Sequence, residues 1–172
     1  MTSPRSPKYG TRRVATRLAG FEYRGPFRYF ITLTAYKEKP FFADEATVKE
    51  TIRALSETAG RYGFDVLCYC FMPEHAHLLL EGGPTSDLRE FVRLFKQKSS
   101  YRHKRSAGDP LWQRGYYDRV LREDEDSLVV ARYILANPVR RGLTDNAASY
   151  PNSGSFVCSV PDILYSVMVG NK

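Results

Sequence analysis

The stretch that decides the fold runs from residue 64 to residue 81 and reads FDVLCYCFMPEHAHLLLE. Residues 64–72 are almost all apolar or aromatic, which is typical of a buried strand, and Pro73 ends the run. Residues 75–81 form a second apolar run, which a Gly-Gly-Pro sequence closes. Because only Pro73 and Glu74 separate the two runs, they are predicted to pair as a hairpin.

Two elements are predicted upstream of this hairpin. Residues 27–36, FRYFITLTAY, are rich in aromatic and β-branched side chains and indicate a first strand. After it, apolar side chains recur at helical spacing over residues 43–63. Asp44 is the predicted N-cap of that helix, and Gly60 or Gly63 its predicted end.

Three further elements are predicted downstream. Thr85 or Ser86 is expected to cap a long basic helix whose apolar side chains form one stripe. Residues 111–122 indicate a fourth extended segment, and a last helix follows four acidic residues and ends near Pro138. After Tyr150 the sequence shows no regular pattern.

The element order β-α-β-β-α-β-α predicts an α+β fold. We expect a ferredoxin-like or RNA-recognition-like antiparallel sheet with the helices packed on one face, in a single domain. Residues 1–24 indicate a flexible basic arm, residues 25–150 the folded domain, and residues 151–172 a C-terminal tail.

The composition indicates which kind of molecule the protein binds. The formal net charge of +7 and the pI of about 9.4 favour nucleic acid, although a basic protein without such a partner remains the alternative. The sequence contains no apolar run of membrane-spanning length and no secretory signal. Cys68, Cys70 and Cys158 lack the spacing of a disulfide framework, so free, buried thiols in a reducing cytoplasm are expected.

His75 and His77 are the candidate metal ligands. Residues i and i+2 of a strand point to the same face, so both imidazoles project together while Ala76 points away. Two imidazoles side by side offer a divalent metal two ligands. Taken alone, the pair is better explained as an ordinary feature of a half-polar strand.

Three motifs together resemble a known family. They are FMPEHAHLLL at residues 71–80, LWQRGYYDRVLR at 111–122 and VARYILANPVRRGL at 130–143. In this order and spacing they resemble the REP-associated tyrosine transposases, which belong to the single-tyrosine, His-hydrophobe-His (HUH) transposases of the IS200-like type. The resemblance covers roughly residues 20–150 and departs at Arg119, where many relatives have His.

The resemblance implies a catalytic site. His75, His77 and Asn137 correspond to the residues that hold a divalent metal, Mg or Mn. Tyr133 corresponds to the nucleophile that attacks a DNA phosphate, becomes linked to the 5′ side and leaves a free 3′-OH. Residues 133 and 137 lie one turn apart on one helix face, which is consistent with a shared site.

The resemblance also implies the substrate and the setting. The substrate is expected to be single-stranded DNA that carries a short palindromic hairpin. The protein is expected to act in the bacterial cytoplasm, associated with the nucleoid through its DNA, with a monomer favoured over a dimer.

Basic and aromatic side chains outside this site are candidates for DNA contact. They are Arg12, Arg13, Arg17, Lys96, Lys98, Tyr101, Arg102, Lys104 and Arg105. Those between residues 96 and 105 are equally consistent with a solvated helix face, and His103 among them is expected to be solvated.

Two other functions compete with a nicking transposase. One is a non-catalytic single-stranded nucleic-acid-binding module, whose bases would stack on sheet aromatics. Its candidate aromatics are Tyr29, Tyr36, Tyr69 and Phe71. The other is a metal-dependent nuclease that releases its product without a covalent step.

Overall fold

The fold is built on one sheet of five strands, in a computed structural model that describes residues 20–123 and 125–166. The strands are β1 (Arg28–Thr34), β2 (Phe64–Met72), β3 (His75–Gly82), β4 (Tyr117–Val120) and β5 (Ser153–Gly154). Their order in the sheet is β4-β1-β3-β2-β5, and every pairing is antiparallel. The helices are α1 (Glu45–Tyr62), α2 (Leu88–Ala107), α3 (Ser127–Leu135), α4 (Asn137–Arg140) and α5 (Val160–Tyr165). The predicted α+β class is confirmed.

The predicted hairpin forms the middle of the sheet. Met72 of β2 lies opposite His75 of β3, across a turn of Pro73 and Glu74. A bulge at Leu67 shifts the register, and the extra residue reverses which side chains of β2 face each side of the sheet.

Both faces of the sheet are covered. On one face α1 and α2 enclose a core with the following strand side chains: Tyr29, Ile31, Leu33, Val66, Tyr69, Phe71, Ala76, Leu78 and Leu80. We call this the α1–α2 face. On the other face α3 packs over Phe30, Cys68, Cys70, Met72 and Leu79. Because His75 and His77 alternate with Ala76 and Leu78, they lie on this second face, which we call the histidine face.

The prediction that all helices share one face is therefore wrong for α3. The apolar runs of β1, β2 and β3 have buried side chains in alternate positions on both sides, which is typical of a sheet covered twice. Each face then needs its own helical layer.

The helix caps follow the sequence in part. The Asp44 carboxylate accepts the Thr47 N–H at 2.8 Å, and Gly63 ends α1 in the left-handed region at φ 67°, as predicted. The cap of α2 is Asp87, whose carboxylate accepts the Glu90 N–H, and neither Thr85 nor Ser86. The Ser86 hydroxyl instead donates to the Gly63 carbonyl oxygen and joins the end of α1 to the start of α2.

The segment 111–122 is less extended than predicted. Regular strand pairing with β1 is confined to β4, and Leu111 and Trp112 are buried in the core of the α1–α2 face. The Trp112 indole N–H donates to the Ser99 hydroxyl at 2.8 Å. Trp112 stays beside the continuation of β1, because it forms an isolated antiparallel bridge with Ala35 and the Gln113 N–H donates to the Thr34 carbonyl oxygen at 2.9 Å. The pairing is interrupted only between residue 113 and the start of β4.

Residues 151–166 contain a short strand and a short helix, where the sequence indicated an irregular tail. β5 pairs with the outer edge of β2, and the Tyr150 hydroxyl donates to the Phe71 carbonyl oxygen at 2.9 Å. α5 packs on α3 through Ile163, which is 4% exposed, and Arg132 donates to the Ile163 carbonyl oxygen at 2.8 Å. A two-residue strand and a six-residue helix are too short for a recognisable hydrophobic period.

The end of α3 is close to the predicted place, but the chain does not leave the helical region there. Ala136 has φ −80° and ψ −9°, and α4 continues directly with Pro138 in its first turn. Among the described residues, no helix is long and apolar enough to cross a membrane.

We predict that α5 stabilises the domain through Ile163. The Ile163→Ala variant should lower the free energy of unfolding by about 2–3 kcal/mol, because truncation leaves a cavity against α3. Val157, which is 49% exposed, is the control, and Val157→Ala should stay within about 0.5 kcal/mol of wild type. Urea unfolding measures both, and equal effects of the two substitutions would contradict the packing of α5.

Candidate functional site

The two histidines of β3 converge on one point. The Nε2 atoms of His75 and His77 lie 3.0 Å apart, and both side chains are partly buried. Two adjacent ligands of an octahedral ion, each about 2.1 Å from the metal, stand about 3.0 Å apart. The spacing of these nitrogens therefore fits a pair of metal ligands.

The Nδ1 atom of each imidazole, on the side of the ring away from the Nε2 pair, has a hydrogen-bond partner. His75 Nδ1 lies 3.1 Å from a carboxylate oxygen of Glu74, and His77 Nδ1 lies 2.9 Å from the Thr32 hydroxyl. The same oxygen of Glu74 accepts a 2.6 Å hydrogen bond from Arg141. Partners of this kind orient histidine ligands in metal sites.

Burial keeps both imidazoles neutral near neutral pH. It lowers the pKa of His75, against the opposing effect of the Glu74 carboxylate. Burial, reinforced by the neighbouring His75, lowers the pKa of His77 to about 3. Since a metal binds the neutral imidazole, the pair is ready to bind one without first losing a proton.

Glu74 is charged in this setting. Burial alone would raise its pKa, but the hydrogen bond and the charge of Arg141, together with the neighbouring His75, hold the pKa below its ordinary value. As an ionised carboxylate it is only an acceptor, so the bond to His75 requires a proton on Nδ1.

Tyr133 lies on α3, the helix that covers the histidine face. Its ring packs against the apolar cluster of that face, which also contains Phe30. The His77 ring lies 5.6 Å from the Phe30 ring. The Arg140 guanidinium lies over the Tyr133 ring, 4.2 Å from its centroid. The fold thus brings the predicted nucleophile and the predicted metal ligands to the same face of the sheet.

Asn137 closes the end of α3. Its amide nitrogen donates to the carbonyl oxygens of Tyr133 and Ile134, both at 3.1 Å. These bonds satisfy acceptors that the end of the helix leaves open. Within the described residues nothing donates to the amide oxygen of Asn137, which leaves that oxygen available as a ligand.

The donor atoms are compatible with a divalent metal, but histidine and acidic side chains alone do not provide a full set of ligands. Over the described residues, no group of three or more His, Cys, Asp or Glu side chains could hold a metal ion. Two imidazoles and the Asn137 oxygen would leave positions for phosphate oxygen and water. Such a mixed set suits manganese or magnesium, with imidazole favouring the former.

The candidate DNA contacts of α2 lie on the opposite side of the sheet from the histidines, and several have partners within the protein. Lys96 donates to the carbonyl oxygens of Gln113 and Gly115, and burial lowers its pKa to about 8. Lys98 and Arg102 both pair with Glu57.

The remaining candidates divide into two groups. Tyr101 is 64% exposed, with the Arg105 guanidinium 5.8 Å from its ring centroid, and Lys104 is exposed as well. Arg12, Arg13 and Arg17 lie outside the described residues.

Two predictions about single side chains are wrong. His103 is 7% exposed rather than solvated, and its ring lies 4.4 Å from that of Phe41, because it is on the side of α2 that faces the body of the protein. Cys158 is exposed, while Cys68 and Cys70 are buried as expected. Burial raises the pKa of both buried thiols, that of Cys70 to about 12.

The aromatic side chains that would support a base-stacking module are not accessible. Tyr29 and Phe71 are fully buried and Tyr69 is 9% exposed, all three beneath α1 and α2. Only Tyr36 of that set is partly exposed. A base-stacking platform of the predicted kind is therefore absent from the described sheet.

Sequence reasoning did not identify Thr32, Glu74, Arg140 or Arg141 as site residues. Glu74 is adjacent to His75, so its acidic character could have been noted. Thr32 and Arg141 reach the histidines only through strand pairing and chain folding, and no local pattern marks them.

This chain is similar to transposases in sequence. The profile of the family described as "Transposase IS200 like" matches residues 27–137, which include the two histidines, Tyr133 and Asn137. A protein of Haemophilus influenzae assigned as a REP-associated tyrosine transposase is 25% identical over an alignment of 144 residues, and the match covers 76% of this chain and 80% of that protein.

The similarity extends to the fold. A REP-associated tyrosine transposase solved bound to a REP hairpin aligns with a TM-score of 0.65 at 17% identity, over 84% of this chain and 81% of that one. A protein of Deinococcus radiodurans R1 assigned as a transposase aligns with a TM-score of 0.50 at 22% identity, over 60% of this chain and 85% of that one. At these identities the comparison shows a common fold.

We predict that His77 makes stability depend on pH. Its folded-state pKa of about 3 lies below the unfolded value of about 6.5, so below that pH the unfolded chain binds a proton that the folded protein does not. The free energy of unfolding should therefore fall as the pH drops, with His77 contributing up to about 1.4 kcal/mol per pH unit between about pH 6 and pH 4.

The measurement is urea unfolding across this range in the presence of a chelator, for wild type and His77→Gln. Carboxylates titrate in both proteins, so the difference between the two slopes isolates His77. Identical slopes would show that the imidazole is not held neutral by the fold.

Proposed function

The chain belongs to the IS200-like transposase family, and on that premise we propose that it is a metal-dependent single-strand DNA endonuclease and strand transferase. It cleaves hairpin-bearing DNA through a 5′-phosphotyrosine intermediate. The observation that carries this proposal is the pair of Nε2 atoms 3.0 Å apart on the face that the Tyr133 helix covers. The relative solved with a REP hairpin supports a hairpin of that class as substrate.

The reaction exchanges one phosphodiester for another. The Tyr133 oxygen forms a bond to phosphorus, the bond from phosphorus to the 3′ oxygen breaks, and the phenol proton is released as the 3′-OH takes one up. A neutral phenol is a weak nucleophile and needs a polarised target. A divalent metal at His75 and His77 would polarise and orient the scissile phosphate.

The protein side chains position the Tyr133 phenol, and the covalent intermediate keeps the reaction reversible. α3 packs on β2 and β3, which restricts where the phenol can stand relative to the imidazoles. Arg140, next to the Tyr133 ring, puts a positive charge near the attacked phosphate. Because the phosphotyrosine retains the bond energy, a 3′-OH can attack it and rejoin the strand.

The proposal extends to partners and setting. The exposed Tyr101, Lys104 and Arg105, together with the arm residues Arg12, Arg13 and Arg17, are the proposed contacts to DNA outside the site. Lys96, Lys98 and Arg102 would have to exchange internal partners for phosphate. We place the protein in the bacterial cytoplasm with its DNA, acting as a monomer.

A nuclease without a covalent step is the second candidate. It is favoured by the histidine pair alone and would not require Tyr133. The experiment below distinguishes it from the transposase, because only a tyrosine nucleophile leaves a protein–DNA adduct.

We predict that Tyr133 forms the adduct. Wild-type protein, Mn²⁺ and a labelled hairpin with single-stranded flanks should give an adduct that resists denaturation, whereas Tyr133→Phe should reduce it at least about a thousandfold. Tyr101→Phe is the matched control and should retain the adduct. Strand cleavage that persists in Tyr133→Phe would support the nuclease, and an adduct that persists there would exclude Tyr133 as the nucleophile.

We predict that Asn137 has two separable roles. Asn137→Ala should weaken Mn²⁺ binding about tenfold by calorimetry, because it removes the proposed oxygen ligand. Asn137→Asp keeps an oxygen but loses the N–H donors to Tyr133 and Ile134, so it should bind Mn²⁺ at least as well as wild type while unfolding more easily. If Ala and Asp weaken Mn²⁺ equally, Asn137 acts only as a helix cap.

A further inference from the structure

Glu74 connects two parts of the proposed site. Its carboxylate oxygen Oε1 lies 3.1 Å from His75 Nδ1 and accepts a 2.6 Å bond from the Arg141 guanidinium. Glu74 stands in the turn between β2 and β3, and Arg141 follows α4, one turn after Asn137. The contact therefore joins the histidine hairpin to the helices that carry Tyr133 and Asn137.

We propose that Glu74 and Arg141 form a positioning clamp, in which Glu74 fixes the orientation and tautomer of His75 and Arg141 ties the nucleophile-bearing helices to the histidine hairpin. The clamp deepens the proposed function and rests on it for its catalytic meaning. Its structural content can be tested without metal or DNA.

The first half of the clamp follows from hydrogen-bond chemistry. An ionised carboxylate only accepts, so His75 must carry its proton on Nδ1, which leaves the Nε2 lone pair directed at the position where a metal would bind. The backbone of Glu74 is itself fixed, since its carbonyl oxygen accepts the Ala35 N–H at 2.8 Å. His75 is therefore held in one tautomer by a fixed partner.

His77 is held differently. Its Nδ1 faces the Thr32 hydroxyl, which can either donate or accept, so both tautomers are allowed. Without a metal, His77 can place a proton on Nε2 and donate to His75 Nε2 across 3.0 Å, which avoids two opposed lone pairs. The tautomer of His75 is therefore fixed, whereas that of His77 can change. The difference arises because Glu74 can only accept a hydrogen bond.

The second half follows from where the ion pair lies. The side chains of Arg141 and Glu74 are 50% and 24% exposed, and an ion pair so open to solvent adds little to overall stability. The Arg141 N–H also donates to the Asn137 carbonyl oxygen at 3.0 Å, so a shift of Arg141 moves the end of the helix. The Arg141–Glu74 pair can therefore affect how α3 and α4 are placed over the histidines.

Four variants separate the two halves. Glu74→Ala removes the acceptor and the ion pair, Glu74→Gln replaces the carboxylate by an uncharged amide that can either accept from His75 or donate to it, and Arg141→Met removes only the ion pair. The control is Lys39→Met, which breaks the Lys39–Asp109 pair, also partly exposed and formed at 2.5 Å.

Tautomers are read from imidazole ¹⁵N shifts in the metal-free protein. Wild type and Arg141→Met should show His75 protonated on Nδ1 and His77 on Nε2. Glu74→Gln, whose amide can donate or accept, and Glu74→Ala should both mix the His75 tautomers. Mn²⁺ titration should give about tenfold weaker binding for Glu74→Ala and less than about threefold for Arg141→Met. A His75 tautomer unchanged in Glu74→Ala overturns the first half.

The second half of the clamp, the link that Arg141 makes between the helices and the histidine hairpin, is measured by amide hydrogen exchange over residues 133–141. Exchange there should be severalfold faster in Arg141→Met and Glu74→Gln than in wild type or Lys39→Met, with similar global stability in all four. Equal exchange in Arg141→Met and Lys39→Met overturns the second half. Neither measurement requires metal or DNA, so a wild type that fails to bind Mn²⁺ would refute the proposed function and leave the clamp to be decided by tautomer and exchange.

Discussion

The alternation of side chains along β3 is the constraint on which the rest of the structure depends. Ala76, Leu78 and Leu80 fill the core beneath α1 and α2, and this burial sets the register of the central strand. The intervening positions must then face the other way, which brings His75 and His77 together. The same register places Thr32 of β1 opposite His77, so one pairing positions both a candidate ligand and its hydrogen-bond partner.

The histidine face has two parts. Its side chains are apolar where α3 covers the sheet, and beside that layer lie the two histidines. α3 covers Cys68, Cys70 and Leu79, and its own buried residues Ile134 and Leu135 complete that layer. Tyr133 and Asn137 sit on the same run of helix, so the apolar contacts that dock α3 also set the height of the phenol above the sheet. α5 packs on α3, and its Ile163 joins the same buried cluster, which stabilises that position.

The excess positive charge is distributed unevenly between structural and available groups. Lys96, Lys98 and Arg102 hold carbonyl oxygens or carboxylates of the protein. Arg141 is likewise held by the Glu74 carboxylate, whereas Arg140 lies beside the candidate site with its guanidinium over the Tyr133 ring. Net charge therefore indicates the class of partner, whereas only the folded chain tells which cations are free to meet it.

The sequence alone determined the central hairpin, the ends of α1, the α+β class and, through three motifs in order, the candidate residues His75, His77, Tyr133 and Asn137. The hairpin, the ends of α1 and the class rest on local patterns, namely apolar runs between breakers and helix caps. The candidate residues rest on the resemblance of the three motifs to a known family. The tertiary structure decided which face α3 occupies, that residues 153–165 complete the domain, that His103 is buried, and that Glu74, Thr32 and Arg141 surround the imidazoles. Those outcomes depend on contacts between residues far apart in the chain, such as Arg141 with Glu74, and local periodicity carries no information about such contacts.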